Sequence, residues 1–313
     1  MKKILITGGA GYIGSLLCEY FLNSNFDVTV VDNFNFSQNS LNSYYYKKNF
    51  KVFKQDVRDI EKIRPLISKN DIIIPLASLV GAPLCDLKKK EAEDINLSSI
   101  IDMIKIMSKD QYIIYPTTNS GYGVGEKNKF CTEETKLNPI SLYGKTKVNA
   151  ENYITENFEN STRFRLATVF GCSPRMRLDL LVNDFVYRAV KDKFIVLFEA
   201  NFKRNYIHIR DVCNAFMFSI DNHQKVKGET FNLGLSNANF SKKELCEKIK
   251  KIVGDFEIVQ SEIGKDIDKR DYIVSNEKIE KKGFKPIFSL EDGIKELVKL
   301  YSFLIPDKSM RNI

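Results

Sequence analysis

A glycine pattern near the start constrains the fold more than any other feature. Lys3–Thr7 (KILIT) reads as a strand and runs directly into Gly8-Gly9-Ala10-Gly11-Tyr12-Ile13-Gly14, and Tyr12–Leu22 then has helical periodicity. The glycines at 8, 11 and 14 form GxxGxxG between a strand and a helix. Gly8 permits the tight turn, Gly11 lets a pyrophosphate approach the backbone, and Gly14 lets the helix pack closely on the sheet. The helix start, with Tyr12 and Ile13, offers free N–H groups to an anion. Strand two, Asp27–Val31, ends at Asp32-Asn33. An acid at Asp32 accepts hydrogen bonds from an adenosine ribose and repels a 2′-phosphate, so the expected cofactor is NAD rather than NADP. The plain alternative is a tight turn with a solvated Asp; position and context weigh against it.

Short β-rich runs alternate with amphipathic segments through the first half. Phe50–Gln55, Asp71–Leu76, Gln111–Tyr115 and Thr162–Phe170 read as strands; Asp59–Ser68, Lys88–Ser108 and Pro139–Asn157 read as helices. This is the pattern of an α/β Rossmann fold, a doubly wound parallel sheet. The runs IIIPL and YIIYP are apolar without alternation, as in strands buried on both faces. The rhythm changes after about Gly171, toward a smaller C-terminal α/β substrate-binding lobe. We expect the NAD-binding domain at 1–172, a return of the chain to it at about 207–234, and the smaller lobe from 173–206 and 235–313.

Strand ends supply further candidates, because open α/β sheets bind ligands at the carboxyl ends of their strands. Asp56-Val57 follows strand three, where the acid fits an adenine amino group and a helix cap equally well. Leu76-Ala77-Ser78 follows strand four with small residues that let a cofactor lie across the sheet edge. Thr117-Thr118-Asn119-Ser120 places hydroxyls at the end of strand five. Tyr143 and Lys147 form Tyr-x-x-x-Lys, one helical turn apart on one face. A tyrosine with a pKa of ~10 is a poor base at neutral pH, but a neighbouring ammonium and an oxidised nicotinamide lower it. Thr118, Tyr143 and Lys147 are the expected catalytic set.

The formal net charge is +8, but no basic run reaches five residues, so the lysines read as solvated helix faces rather than a nucleic-acid patch. The longest mostly apolar run, Ile72–Cys85, contains two prolines and falls short of the ~18 residues of a membrane span. The start Met1-Lys2-Lys3 leads into a glycine-rich stretch unlike a signal peptide. The six cysteines lack CxxC spacing, and His208 and His223 are not spaced as a metal pair. We therefore expect a cytoplasmic protein without a metal, nucleic-acid or membrane partner.

The segments GGAGYIG, PLAS, TTNSGYG, YGKTK and RNYIHIRD, in this order, resemble the extended short-chain dehydrogenases that act on nucleotide sugars, over essentially the whole chain. The resemblance implies Thr118 as the catalytic hydroxyl, four positions before Tyr122-Gly123. It implies Asn96 beside the cofactor, and Arg204 and Arg270, the latter in Asp268-Lys269-Arg270-Asp271, on a nucleotide diphosphate. It also places Asn119, Ser120, Arg175 and Asn183 with the substrate. Where sugar 4,6-dehydratases carry Thr-Asp-Glu, this chain has Thr118-Asn119-Ser120, which disfavours water elimination.

Redox at carbon 4 is left: a dehydrogenase, a 4-epimerase or a 4-keto reductase. The longer segments IIIPLASLVGAPLC, RLATVFGCSPRMRLDLLVNDF and KFIVLFEANFKRNYIHIRDV are similar to bacterial GDP-D-glycero-α-D-manno-heptose 4-dehydrogenases of capsule heptose pathways. That resemblance implies a GDP-sugar substrate, and the wider class implies a homodimer through the helices at 88–108 and 139–157. A non-catalytic NAD sensor or scaffold is the alternative of another class; the full Thr118, Tyr143 and Lys147 set argues against it.

Overall fold

The computed structural model describes residues 2–261 and 270–312. Its first half consists of β1 (Lys3–Thr7), α1 (Tyr12–Asn23), β2 (Asp27–Asp32), β3 (Phe50–Lys54), α2 (Ile60–Ile67), β4 (Ile72–Pro75), α3 (Ala82–Leu87), α4 (Lys89–Glu93), α5 (Ser99–Ile106), β5 (Tyr112–Thr118), β6 (Phe130–Cys131), α6 (Leu142–Asn157), β7 (Ser161–Leu166) and β8 (Thr168–Phe170). There follow α7 (Leu181–Lys191), β9 (Phe194–Leu197), β10 (Lys203–His208), α8 (Ile209–Asp221), α9 (His223–Val226), β11 (Glu229–Leu233), β12 (Asn239–Ser241), α10 (Lys242–Val253), β13 (Glu257–Gln260), β14 (Ile273–Val274), α11 (Glu277–Lys281) and α12 (Leu290–Phe303).

Seven strands form one parallel sheet in the order β11-β7-β5-β4-β1-β2-β3. The order reverses beside β1, and the crevice at such a switch point is where α/β sheets bind ligands. Strand β1 shows why the sheet needs cover on both faces. Ile4 and Ile6 pack with Leu16, Phe21 and Phe216 of α1 and α8; Leu5 packs in a second core with Ile63, Met103 and Ile154 of α2, α5 and α6. Alternate residues of a strand point to opposite faces, so an uninterrupted apolar run serves both cores. A third core, with Phe170, Val186, Tyr206, Leu245 and Leu297, fills the space between β8, α7, β10, α10 and α12.

Two expected elements are divided. The strand expected over Thr162–Phe170 leaves the large sheet at Ala167, whose N–H bonds Leu233 O; β8 beyond it pairs with β10 in a separate three-stranded sheet. The helix expected over 88–108 is α4, a π-helical turn at Asp94–Ser98, and α5. Asn96 sits in that turn with its amide drawn into the interior, bonded to Leu79. Among the described residues, no helix is long and apolar enough to cross a membrane, and no three His, Cys, Asp or Glu side chains cluster to hold a metal.

Candidate active site and dinucleotide cleft

A cavity of about 560 Å3 runs along the carboxyl ends of the large sheet. Gly8, Gly11, Tyr12, Ile13 and Gly14 line it, together with Asp32 and Asn33, Asp56 and Val57, and Leu76, Ala77 and Ser78. Helix α1 points its start at this space and carries no acid in its first turn. The three glycines have different tasks. Gly8 has φ +71°, and a Cβ there would lie 2.5 Å from Ala77 N. A Cβ on Gly14 would lie 2.5 Å from Gly8 O, so this position seats the helix on the loop. A Cβ on Gly11 would meet only Gly8 O, at 3.1 Å, and otherwise projects into open space. That cradle fits a dinucleotide phosphate.

The two close-packed glycines should therefore separate from the third on substitution. Gly8→Ala or Gly14→Ala is expected to destabilise the fold by about 3 kcal/mol or more, since backbone must shift. Gly11→Ala should leave thermal unfolding near that of the native chain but weaken NAD binding at least tenfold, as read by titration. Native-like NAD affinity in Gly11→Ala would remove the phosphate role of the loop.

Asp32 ends β2 and is buried, with Oδ2 accepting from Ala10 N at 3.0 Å and Oδ1 from Phe34 N at 2.8 Å. Burial raises its pKa, against the pull of those two N–H donors and Arg175. Asp56 is gripped by its neighbour Arg58, through Nε at 2.9 Å and Nη2 at 2.7 Å, and that hydrogen bonding lowers its pKa. The helix-cap alternative for Asp56 fails, because the N-cap position of α2 is Asp59.

Thr118 is the last residue of β5, and Tyr143 and Lys147 lie on the first two turns of α6, which Ser141 caps by accepting from Gly144 N. All three line the cavity. Lys147 is 5% exposed, and its ammonium lies 4.1 Å from the centre of the Tyr115 ring. Burial pulls its pKa from 10.5 to about 7, with Glu151 one turn further along α6 acting in opposition. The hydroxyl of Thr118 is part of a chain. Arg270 Nη1 donates to Ser120 Oγ; Ser120 Oγ lies 2.9 Å from Thr118 Oγ1, and Ser120 N donates to Thr118 Oγ1 at 3.1 Å. With Ser120 Oγ accepting from a cation, its own proton is free to go to Thr118. In that arrangement Thr118 accepts twice and keeps its proton for an oxygen in the cavity.

Other proposed residues stand apart from this wall. Asn96 is 1% exposed and spent on the fold: Oδ1 accepts from Ser78 Oγ and Leu79 N, both at 2.8 Å, while Nδ2 donates to Leu79 O and Thr146 Oγ1. It positions the loop after β4 rather than lining the cleft. Asn183 is likewise a knot, accepting from Gly171 N and donating to Arg177 O and Tyr12 OH. Asn119 is buried behind the wall, its amide atoms without a hydrogen-bond partner among the described residues. Thr117, Ser120, Arg204, Arg270 and Arg175 do line the cavity, but Arg175 does so beside Asp32 and Phe36, not beside Thr118. Lys203 N bonds Asp271 Oδ1 at 2.8 Å, which brings the segments bearing Arg204 and Arg270 together; Asp268 and Lys269 lie outside the described residues. The sequence reading missed Phe36, Gln38, the Arg177–Asp179 pair, Lys242 and Asn312 in the lining. Only Arg177 carried a visible signal, as a second arginine two residues after Arg175.

The sequence model of the NAD dependent epimerase/dehydratase family matches residues 4–234. The low-salt glycan biosynthesis protein Agl12 of Haloferax volcanii is 28% identical over 95% of this chain and 98% of its own length. The UDP-glucose 4-epimerase of Thermotoga maritima, solved with UDP-glucose, superposes with a TM-score of 0.82 at 25% identity, covering 96% of this chain and 98% of that one. The dTDP-glucose 4,6-dehydratase of Bacillus anthracis, solved with NAD, has a TM-score of 0.82 at 24% identity, over 96% and 97% of the two chains.

Proposed function

The chain belongs to the NAD dependent epimerase/dehydratase family, and from that premise we propose that it oxidises carbon 4 of a nucleotide-activated sugar, with GDP-D-glycero-α-D-manno-heptose as the first substrate to test. NAD is the cofactor of the family and of the solved relatives that hold it. The observation that carries the reading is the convergence of Thr118, Tyr143 and Lys147 on one wall of the dinucleotide cleft, with Arg204 and Arg270 lining the same cavity.

Bound NAD supplies the hydride acceptor. Tyr143 takes the proton of the carbon-4 hydroxyl, and Lys147, a turn away in a site of low dielectric, favours the phenolate. Thr118 donates to the same oxygen as negative charge grows on it. Arg204 and Arg270 suit a diphosphate through forked donors. Elimination of water finds no acid and base here: Asn119 is buried behind the wall, and Ser120 is engaged by Arg270 and Thr118. We also propose, from the sequence resemblance alone, a guanine nucleotide and a homodimer through the helical segments 88–108 and 139–157.

A 4-epimerase uses the same residues, and the likeness to the Thermotoga maritima enzyme favours it equally. Incubation with GDP-heptose and UDP-glucose, followed by mass spectrometry of the products and of the cofactor, decides. A product lighter by one molecule of hydrogen, with matching NADH, is expected. A product of unchanged mass and altered retention would replace the dehydrogenase with an epimerase. No turnover of either sugar by a protein that retains NAD would sink both choices of substrate.

A further inference from the structure

We propose that Arg175 is a cofactor residue, closing over the adenosine half of the bound dinucleotide, and that Asn312 holds it in place. The inference rests on NAD occupying the cleft and is independent of which sugar is oxidised.

The segment after β8 is pinned to the phosphate loop before it reaches Arg175. Ser173 Oγ donates to Tyr12 O at 2.6 Å and lies 3.1 Å from Ser15 Oγ, and Tyr12 OH donates to Gly171 O at 2.7 Å. Two residues on, the Arg175 guanidinium rests 4.8 Å from the centre of the Phe36 ring. Phe36 belongs to the turn that follows Asp32, where Gln38 donates to Asp32 Oδ1. Arg175 thus bridges the helix start that suits a pyrophosphate and the acid that suits a ribose.

Its hydrogen bonding among the described residues is incomplete. Nη2 donates to Asn312 Oδ1 at 2.7 Å, and Nε is buried without a partner among those residues. The side chain is only 5% exposed. Burial lowers its pKa to about 10, and Arg177 adds to that effect, against the opposing pull of Asp179 and Asp32. A buried, underbonded guanidinium beside a cavity is completed by an anion. Between the glycine loop and Asp32 in one cavity, the anion this position suits is the adenosine-side phosphate of a bound dinucleotide.

The substrate's diphosphate belongs elsewhere. Arg270 bonds Ser120 at the end of β5, whereas Asp32 ends β2. With β1 and β4 between them, those strands are three spacings apart, about 14 Å. Asn312 is the clasp: Leu178 N donates to Met310 O at 2.8 Å, so residues 310–312 run along the loop that carries Arg175, and Asn312 itself lines the cavity.

The test compares Arg175→Met, Arg175→Lys and Asn312→Ala with the native protein. Dinucleotide retained through purification is quantified by mass spectrometry. After stripping, NAD, GDP and UDP are titrated calorimetrically, with circular dichroism as the check on folding. Arg175→Met is expected to lose at least tenfold in NAD affinity and Asn312→Ala about threefold, with Arg175→Lys between them. GDP and UDP affinities should not change. Native NAD affinity in folded Arg175→Met overturns the proposal. So does a fall in GDP or UDP affinity as large as the fall for NAD, which would return Arg175 to the substrate. Should Arg175→Met fail to fold, Arg175→Lys and Asn312→Ala decide on the same readings.

Discussion

The Lys147→Met protein is expected to lose turnover by about a thousandfold while unfolding at a higher temperature than the native chain. Both effects follow from burial. Lys147 is packed against the Tyr115 ring, and burial pulls its pKa from 10.5 to about 7, opposed by Glu151. An unfolded chain holds that proton until near pH 10.5, so between about pH 7 and 10.5 the unfolded state binds more protons than the folded one. Stability then rises with pH across this window. The folding penalty of the ammonium is full below about pH 7 and fades toward pH 10.5. Methionine fills similar space without charge, and should gain on the order of 2–4 kcal/mol at neutral pH. Thermal unfolding of NAD-stripped native and Lys147→Met proteins checks this. Their difference should be largest at and below about pH 7 and close toward pH 10.5. A variant less stable than native at neutral pH would show that the ammonium is well solvated in the fold.

The same site shows what a linear sequence makes visible. Gly8, Gly14, Tyr143 and Lys147 were legible because their spacing fixes their geometry: a turn admits only glycine, and a separation of four residues shares a helix face. Thr118 was legible because strand ends in such a sheet face the ligand. Asparagines were not. Asn96, Asn119 and Asn183 carry polar amides in the right neighbourhoods, yet an amide serves the interior as readily as a cavity, and only packing tells which. The division of the expected 88–108 helix has the same origin, since Asn96 binds Leu79 across a gap that periodicity does not register. The position of Arg175 depends on Asn312, a partner 137 residues away. Fold class came from periodicity and turn chemistry, which are local; the assignment of polar side chains to ligand or scaffold depends on contacts that are not.

Arg165→Met is expected to destabilise the protein by about 3–5 kcal/mol, whereas the double variant Arg165→Met, Glu151→Leu should recover most of that loss. Arg165 on β7 reaches Glu151 Oε1 on α6 through Nε at 2.9 Å and Nη2 at 2.7 Å; both side chains are under a tenth exposed. Its Nη1 donates to Tyr122 OH and Glu133 O, and Tyr122 OH in turn donates to Asn232 Oδ1 on β11. The network therefore joins α6 to the edge of the sheet from behind. Removing the guanidinium alone strands the Glu151 carboxylate in the interior, where its other oxygen already lacks a partner among the described residues. Removing both charges exchanges them for apolar contact, which in buried pairs is close to neutral. Glu151 is also the group that raises the pKa of Lys147 against the effect of burial. The double variant should thus fold well but hold a more weakly protonated Lys147, and lose activity at a lower pH than native as pH rises. Denaturant unfolding of the two single variants and the double variant, with a pH–rate profile of the double, tests both parts. An additive cycle would show that the pair does not act as a unit, and an unshifted profile would free Lys147 from Glu151.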